Sequence, residues 1–216
     1  MNTPNYTQHK TMENKHIFRA SYTILSLWES NRWEDAIKVY FKLDTFCTPQ
    51  MAAGKELHKK WEAETMRTKC LPAVLGGAPL KDPKVEHKIV ASLAPWLNLV
   101  GVIDLNDGDT LYEYKSGVQS SEQYASGKQH GVYALLAREA GYDPKLIKIY
   151  HYNQYTKRKD LSLIWVTDKL VADAREWVET IAGEMQNYYL TNKIYERFGA
   201  WHATSNGWYA YYYSYP

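Results

Sequence analysis

Asp104, Glu113 and Lys115 are the residues of this chain whose types and spacing best suit chemistry, and they fall in one stretch, LVGVIDLNDGDTLYEYK, from Leu99 to Lys115. Paired carboxylates suit a hard divalent cation, which takes oxygen ligands. A lysine beside them can hold a water or an anionic substrate. That combination points to phosphodiester chemistry. The plainer reading of the same stretch is a surface hairpin carrying an ordinary Glu/Lys pair, since Asp and Lys are common near turns.

Convergence of the three side chains depends on the hairpin. Asn106, Asp107, Gly108 and Asp109 are turn formers between two runs rich in Val, Ile, Leu and Tyr, which is the signature of a tight β-hairpin. With Asp107 and Gly108 as the loop, Asn106 pairs with Asp109, Leu105 with Thr110, Asp104 with Leu111 and Val102 with Glu113. Strand alternation then puts Asp104, Glu113 and Lys115 on one face, with Asp104 diagonal to Glu113. A slip of one residue would separate them.

The 216 residues suit one domain, or one domain with an added subdomain, and can bury a sizeable core. A net charge of +2 means that any nucleic-acid site must come from local arrangement, because no global field exists to supply it. Cys47 and Cys70 are the only cysteines, too few for a four-thiolate metal or cluster site, and read as buried free thiols. No long apolar run is present, nor an apolar leader, so the expectation is a cytoplasmic protein with no membrane partner.

Residues 1–16 read as a flexible arm. From Ser21 to Leu43 the apolar spacing predicts one or two amphipathic helices, closed by Pro49. A further helix is predicted from about Gln50 to Lys69, on which Gly54, His58 and Glu62 share one face; the glycine permits close approach and the other two offer ligands. Leu75 to Pro83 is a loop, and Val85 to Leu93 a strand carrying Glu86 that completes a three-stranded meander. A helix from Ser121 to Ala140 places Gln129 and Tyr133 one turn apart. Two strands follow, Leu146 to Asn153 and Leu161 to Thr167. Their loop carries Lys157, Arg158 and Lys159, either a solvated tip or a phosphate contact. The last helix, about Asp168 to Asn192, buries a stripe from Leu170 to Met185. An aromatic tail ends the chain.

In this order the chain resembles the PD-(D/E)XK nuclease superfamily, in particular its RecB-like branch. The resemblance rests on Gly54-Lys-Glu-Leu-His58 on a helix, Glu86 in the first meander strand, Gly101-Val-Ile-Asp104, Glu113-Tyr-Lys115, and Gln129-His-Gly-Val-Tyr133. It implies an α/β fold with a restriction-endonuclease-like core, a mixed β-sheet flanked by helices, and an N-terminal helical subdomain. Residues 17–70 would form the helical region with the GxxxH motif, 71–195 the nuclease core and 196–216 the tail.

The resemblance further implies that His58, Asp104, Glu113 and the carbonyl of Tyr114 bind Mg²⁺ or Mn²⁺, with Lys115 as the catalytic lysine. Glu86, Gln129 and Tyr133 would support them. The chain departs from many relatives in two ways. It lacks the four cysteines of an iron–sulfur cluster, so none is expected, and Ile103-Asp104 replaces the usual Pro-Asp pair. The expected activity is metal-dependent hydrolysis of DNA, on single strands or ends, in recombination, repair, phage or CRISPR-related processing. A helicase, or a recombination or CRISPR component, would be the fitting protein partner. The rival expectation is a non-cutting nucleic-acid-binding or assembly subunit with the same fold.

Overall fold

The computed structural model describes residues 17–43, 47–117 and 121–198. The arm (1–16) and most of the aromatic tail (199–216) lie outside the described residues. In chain order the elements are β1 (Phe18–Ala20), α1 (Tyr22–Glu29), α2 (Trp33–Tyr40), α3 (Pro49–Thr68), β2 (Lys84–Ala94), β3 (Leu97–Asp107), β4 (Thr110–Lys115), α4 (Ser121–Ala125), α5 (Gln129–Glu139), β5 (Leu146–Tyr152), β6 (Lys159–Trp165) and α6 (Asp168–Thr191). The six strands make one mixed sheet flanked by helices, as expected for a restriction-endonuclease-like core.

β3 is its hub. β2 runs antiparallel beside nearly all of β3, while the other edge of β3 is shared, with β1 parallel at Leu97–Leu99 and β4 antiparallel at Leu105–Asp107. Between those two partners, residues 100–103 of β3 pair only with β2, and the register passes over Asp104 and Glu86. The sheet therefore forks where β4 leaves β3. Beyond it, β5 is parallel to β4 and β6 antiparallel to β5.

The hairpin turn differs from the expected one. Asp107 pairs with Thr110, Asn106 with Leu111 and Leu105 with Tyr112, so the loop is Gly108 and Asp109. Gly108 takes φ +71° at the first central position, a backbone that favours glycine and suits a hairpin whose twist matches its strands. Asp107 is drawn into the strand by a second task. Its buried carboxylate accepts from the backbone N–H of Lys81 (2.9 Å) and of Asp82 (2.6 Å), tying the preceding loop to the turn. Because the register moves by two residues, side-chain faces are preserved and Asp104 comes level with Glu113.

Two cores lie on opposite sides of the sheet. The larger packs α1, α2, α5 and α6 against β1, β2 and β3, and includes Phe18, Leu25, Ile89, Leu99, Ile103, Leu135, Val178 and Tyr189. The smaller gathers Trp61 of α3, Leu71, Leu75, Leu105, Tyr112 and Tyr114. Strict alternation fails between them. Val85 and Leu105 serve the smaller core, whereas Ile89 and Ile103, of the same parity on the same strands, serve the larger. The inversion falls at Glu86, which has φ +48°, and at Asp104 opposite it. A left-handed glutamate inside a strand costs on the order of 1 kcal/mol and persists only where its surroundings impose it.

Other boundaries also differ. Pro49 opens α3 at its first turn instead of closing the preceding block, and Thr48 caps it by accepting from Met51 N at 3.0 Å. The single helix expected over 121–140 is two helices, α4 and α5. β1, with only three residues, carries too little pattern to be seen in sequence. The two free cysteines are not buried as expected: Cys47 is exposed and Cys70 half-buried, because they flank the two ends of α3 outside the cores.

Replacing Asp107 with alanine leaves two backbone donors without their carboxylate and should lower unfolding stability by about 1–3 kcal/mol. Urea denaturation measures this. A midpoint unchanged from wild type would show that the turn does not depend on that carboxylate.

Candidate active site

The fork between β3 and β4 creates the site. Where the ladder stops, the carboxylate of Asp104 takes over its role, accepting the backbone N–H of Tyr114 at 2.7 Å. Glu113, one residue earlier on β4, is 3% exposed, which makes its ionised form costly unless it is paired. Lys115 supplies the pairing, with Nζ 2.5 Å from Glu113 Oε1. Gln129, opening α5, bridges both: its Oε1 accepts from Lys115 Nζ at 3.2 Å and its Nε2 donates to Glu113 Oε1 at 3.0 Å. Tyr133, one turn on, accepts from the same Nε2 at 2.8 Å.

α5 can reach the fork because of Gly101. A β-carbon there would meet Leu136 Cδ1 at 2.5 Å, so the Leu136 side chain of α5 lies directly on the β3 backbone. From the opposite face α3 closes in at Gly54, where a β-carbon would lie 3.1 Å from Ser116 Oγ. The close approach expected of Gly54 is present.

Charge in this pocket is set by burial. Burial, and then the charge of Glu113, push the Asp104 carboxyl well above the usual range, against the opposing pull of the Tyr114 N–H and Lys115. Burial likewise raises Glu113, opposed by Lys115 and Gln129. Burial works to lower Lys115, but the Glu113 carboxylate outweighs it, so the amine is raised and stays protonated at neutral pH. Glu113 Oε2 is buried without a hydrogen-bond partner. Two costly carboxylates, one with an unused oxygen, are a donor set that suits a hard cation.

Asp104, Glu113, Lys115, Gln129 and Tyr133 are thus brought together. His58 stands beside them, stacked on Trp61 at 5.5 Å and edge-on to Tyr114 at 6.4 Å. Burial, and then the nearby Lys115 charge, lower it to about 4, so the imidazole is neutral at physiological pH. Glu86 acts electrostatically on Asp104, and it is hydrogen-bonded to Glu62 of α3. Burial, followed by the charge and hydrogen bond of Glu86, raises Glu62 to about 7. Among the described residues, no three His, Cys, Asp or Glu side chains converge as a ready-made metal cluster.

Of the basic trio, Lys157 lies over the Tyr152 ring at 5.9 Å, Arg158 is ion-paired with Asp160 at 3.1 Å, and Lys159 begins β6. Their turn is joined to the end of β4, where Gln154 Nε2 donates to the Ser116 carbonyl at 3.3 Å. Sequence reasoning missed Tyr124, whose ring faces Lys115 Nζ at 5.4 Å. No periodicity marks it, since it sits in a short helix before α5.

A forked mixed sheet with carboxylates and lysine at the fork, closed by helices on both faces, defines a restriction-endonuclease-like nuclease fold. The chain belongs to the PD-(D/E)XK nuclease superfamily, whose family model matches residues 10–198. Nucleases of this superfamily generally use divalent metals. Among solved structures, the alkaline exonuclease LHK-Exo of Laribacter hongkongensis is 14% identical with a TM-score of 0.54, covering 84% of this chain and 95% of its own. The same enzyme bound to dAMP gives 14% and 0.54 over 83% and 95%. A Eubacterium rectale protein to which an exonuclease function has been ascribed is 11% identical with a TM-score of 0.53, over 89% of this chain and 88% of its own. No curated protein matches the chain. Among the described residues no helix is long and apolar enough to cross a membrane.

The Glu62 carboxyl has a consequence for stability. Folded protein keeps a proton that the unfolded chain releases between about pH 4.5 and 7, so stability falls as pH rises through that window. In EDTA, Glu62→Gln should therefore melt higher than wild type at pH 8 and alike at pH 4. Equal melting temperatures at both values would show that Glu62 carries no such penalty.

Proposed function

We propose that this chain is a metal-dependent deoxyribonuclease of the RecB-like branch, acting on DNA ends or single strands. The observation that carries the reading is the hydrogen-bonded set of Glu113, Lys115 and Gln129 beside Asp104, a buried carboxylate paired with an ammonium next to a second carboxyl at a sheet fork. A packed core has no need of such a set, because apolar residues of similar volume would be at least as stable there.

Asp104, Glu113 and the carbonyl of Tyr114 would hold Mg²⁺ or Mn²⁺, with the neutral imidazole of His58 available as a nitrogen ligand, which Mn²⁺ accepts readily. The ion would supply a Lewis acid for the phosphate and make a water nucleophilic at neutral pH. Lys115 would hold that water and offset charge developing on the phosphate. Gln129, itself held by Tyr133, would orient the lysine. Glu86 would act from the next strand on Asp104, and Lys157, Arg158 and Lys159 would contact the DNA backbone from the turn joined to β4. The dAMP bound by LHK-Exo is a deoxynucleotide of the kind that end trimming releases. A helicase or a recombination or CRISPR component would be the protein partner.

End-labelled single-stranded and duplex DNA, with RNA as a control, should be incubated with purified protein in Mg²⁺, Mn²⁺ or EDTA. Wild type should cleave DNA only with metal, and Glu113→Ala and Lys115→Ala should each lose about 100-fold or more. No cleavage by wild type, with DNA retained in a binding assay, would overturn the reading in favour of a non-cutting DNA-binding subunit.

A further inference from the structure

Two buried histidines that the proposed chemistry does not use grip the chain just beyond the catalytic strand. His151 of β5 lies opposite Lys115 in the parallel ladder, and its Nε2 is 2.8 Å from the Gly117 carbonyl. His130, in the first turn of α5, places Nε2 2.8 Å from the Tyr124 carbonyl. A carbonyl oxygen can only accept, so each ring carries its hydrogen on Nε2. The residues are 3% and 1% exposed, and losing either bond would leave a buried donor unmatched.

What the two bonds hold is Tyr124. Its ring lies 5.9 Å from the His151 ring, and its hydroxyl fills the space that a side chain at Gly117 would need. The face of that ring stands over Lys115 Nζ at 5.4 Å, within cation–π range. Each histidine leaves Nδ1 without a hydrogen-bond partner, and that of His151 faces the Asp160 carboxylate at 3.6 Å.

We propose that His130 and His151 are positioning residues for Lys115: by fixing Gly117 and Tyr124 they keep the Tyr124 ring as a second seat for the ammonium when Glu113 turns to a cation. The kinetic consequence rests on the nuclease reading; the geometric one does not. Glutamine carries an N–H at about the reach of histidine Nε2, whereas leucine fills similar space without a donor. This difference separates holding from packing.

The test uses the full chain with His130→Leu, His130→Gln, His151→Leu and His151→Gln, plus Tyr124→Leu, which removes the ring and spares both histidines. Two quantities are read: kcat and KM on end-labelled DNA, and the rate at which acetic anhydride labels Lys115, followed by mass spectrometry. The leucine variants should lose about tenfold in kcat with KM within about twofold, and Lys115 should label several times faster. The glutamine variants should recover most of both. Equal losses in the leucine and glutamine variants, or unchanged labelling of Lys115 in the leucine variants and Tyr124→Leu, would overturn the proposal. If wild type cleaves nothing, the nuclease reading falls while the labelling still decides the clamp.

Discussion

The ion pair between Lys115 and Glu113 is the interaction on which the remainder of this structure depends. Burying two carboxylates at the fork is costly, and burial still holds the Asp104 carboxyl well above, and the Glu113 carboxyl above, the usual range against the pull of one ammonium. The surrounding structure meets the balance with fixed dipoles: the Tyr114 N–H on Asp104 and the Gln129 amide on Glu113. Each is delivered by a different element, β4 and α5, so neither element can shift without exposing the cost. A site of this kind sits away from the stability optimum of its own fold, and that is where function commonly resides.

The separation of the two cores follows from the same demand. If β2 and β3 alternated without interruption, Ile103 and Leu105 would share a face. Instead they enter different cores, with Glu86 left-handed at the point of inversion. The inversion lets one pair of long strands serve α5 and α6 on one side and α3 on the other. It also leaves Asp104 beside the gap where β3 has no partner but β2. Backbone strain and the Asp104 carboxylate of the candidate site occupy the same level of the sheet, and the strain of Glu86 is held by long, well-paired strands on either side.

Much of this was legible in the sequence because the chemistry-bearing residues sit in strongly patterned elements. Gln129 and Tyr133 are one helical turn apart in any helix, and Glu113 and Lys115 share a face in any strand. The hairpin register was misplaced by two residues, yet parity kept Asp104 and Glu113 together. What sequence could not supply were features made by distant partners. Asp107 reads as a turn former until the Lys81 and Asp82 N–H groups are seen to claim its carboxylate. The break in alternation leaves no trace, since Val85, Ile89, Ile103 and Leu105 are equally apolar. The pairing of Glu62 with Glu86 joins α3 to β2 across a tertiary contact. Local pattern reports faces only while alternation holds; where packing breaks it, as between Ile103 and Leu105, only the tertiary structure does.

On the proposed reading, the geometry favours one partner of the ion pair as the one that would give way to a cation. Glu113 is anchored by the Gln129 amide, which is in turn bonded to Tyr133, and its other oxygen is unengaged. Lys115 is held by freely rotating bonds and has alternatives within reach, the Gln129 carbonyl oxygen and the face of Tyr124. A carboxylate fixed by a helix and a lysine with more than one seat favour motion of the lysine. On that reading the ammonium would serve as a removable counter-charge for Glu113, beside an Asp104 carboxyl whose protonated form burial favours. Its withdrawal would free the Glu113 carboxylate for a divalent ion and leave a positive charge close to a bound phosphate.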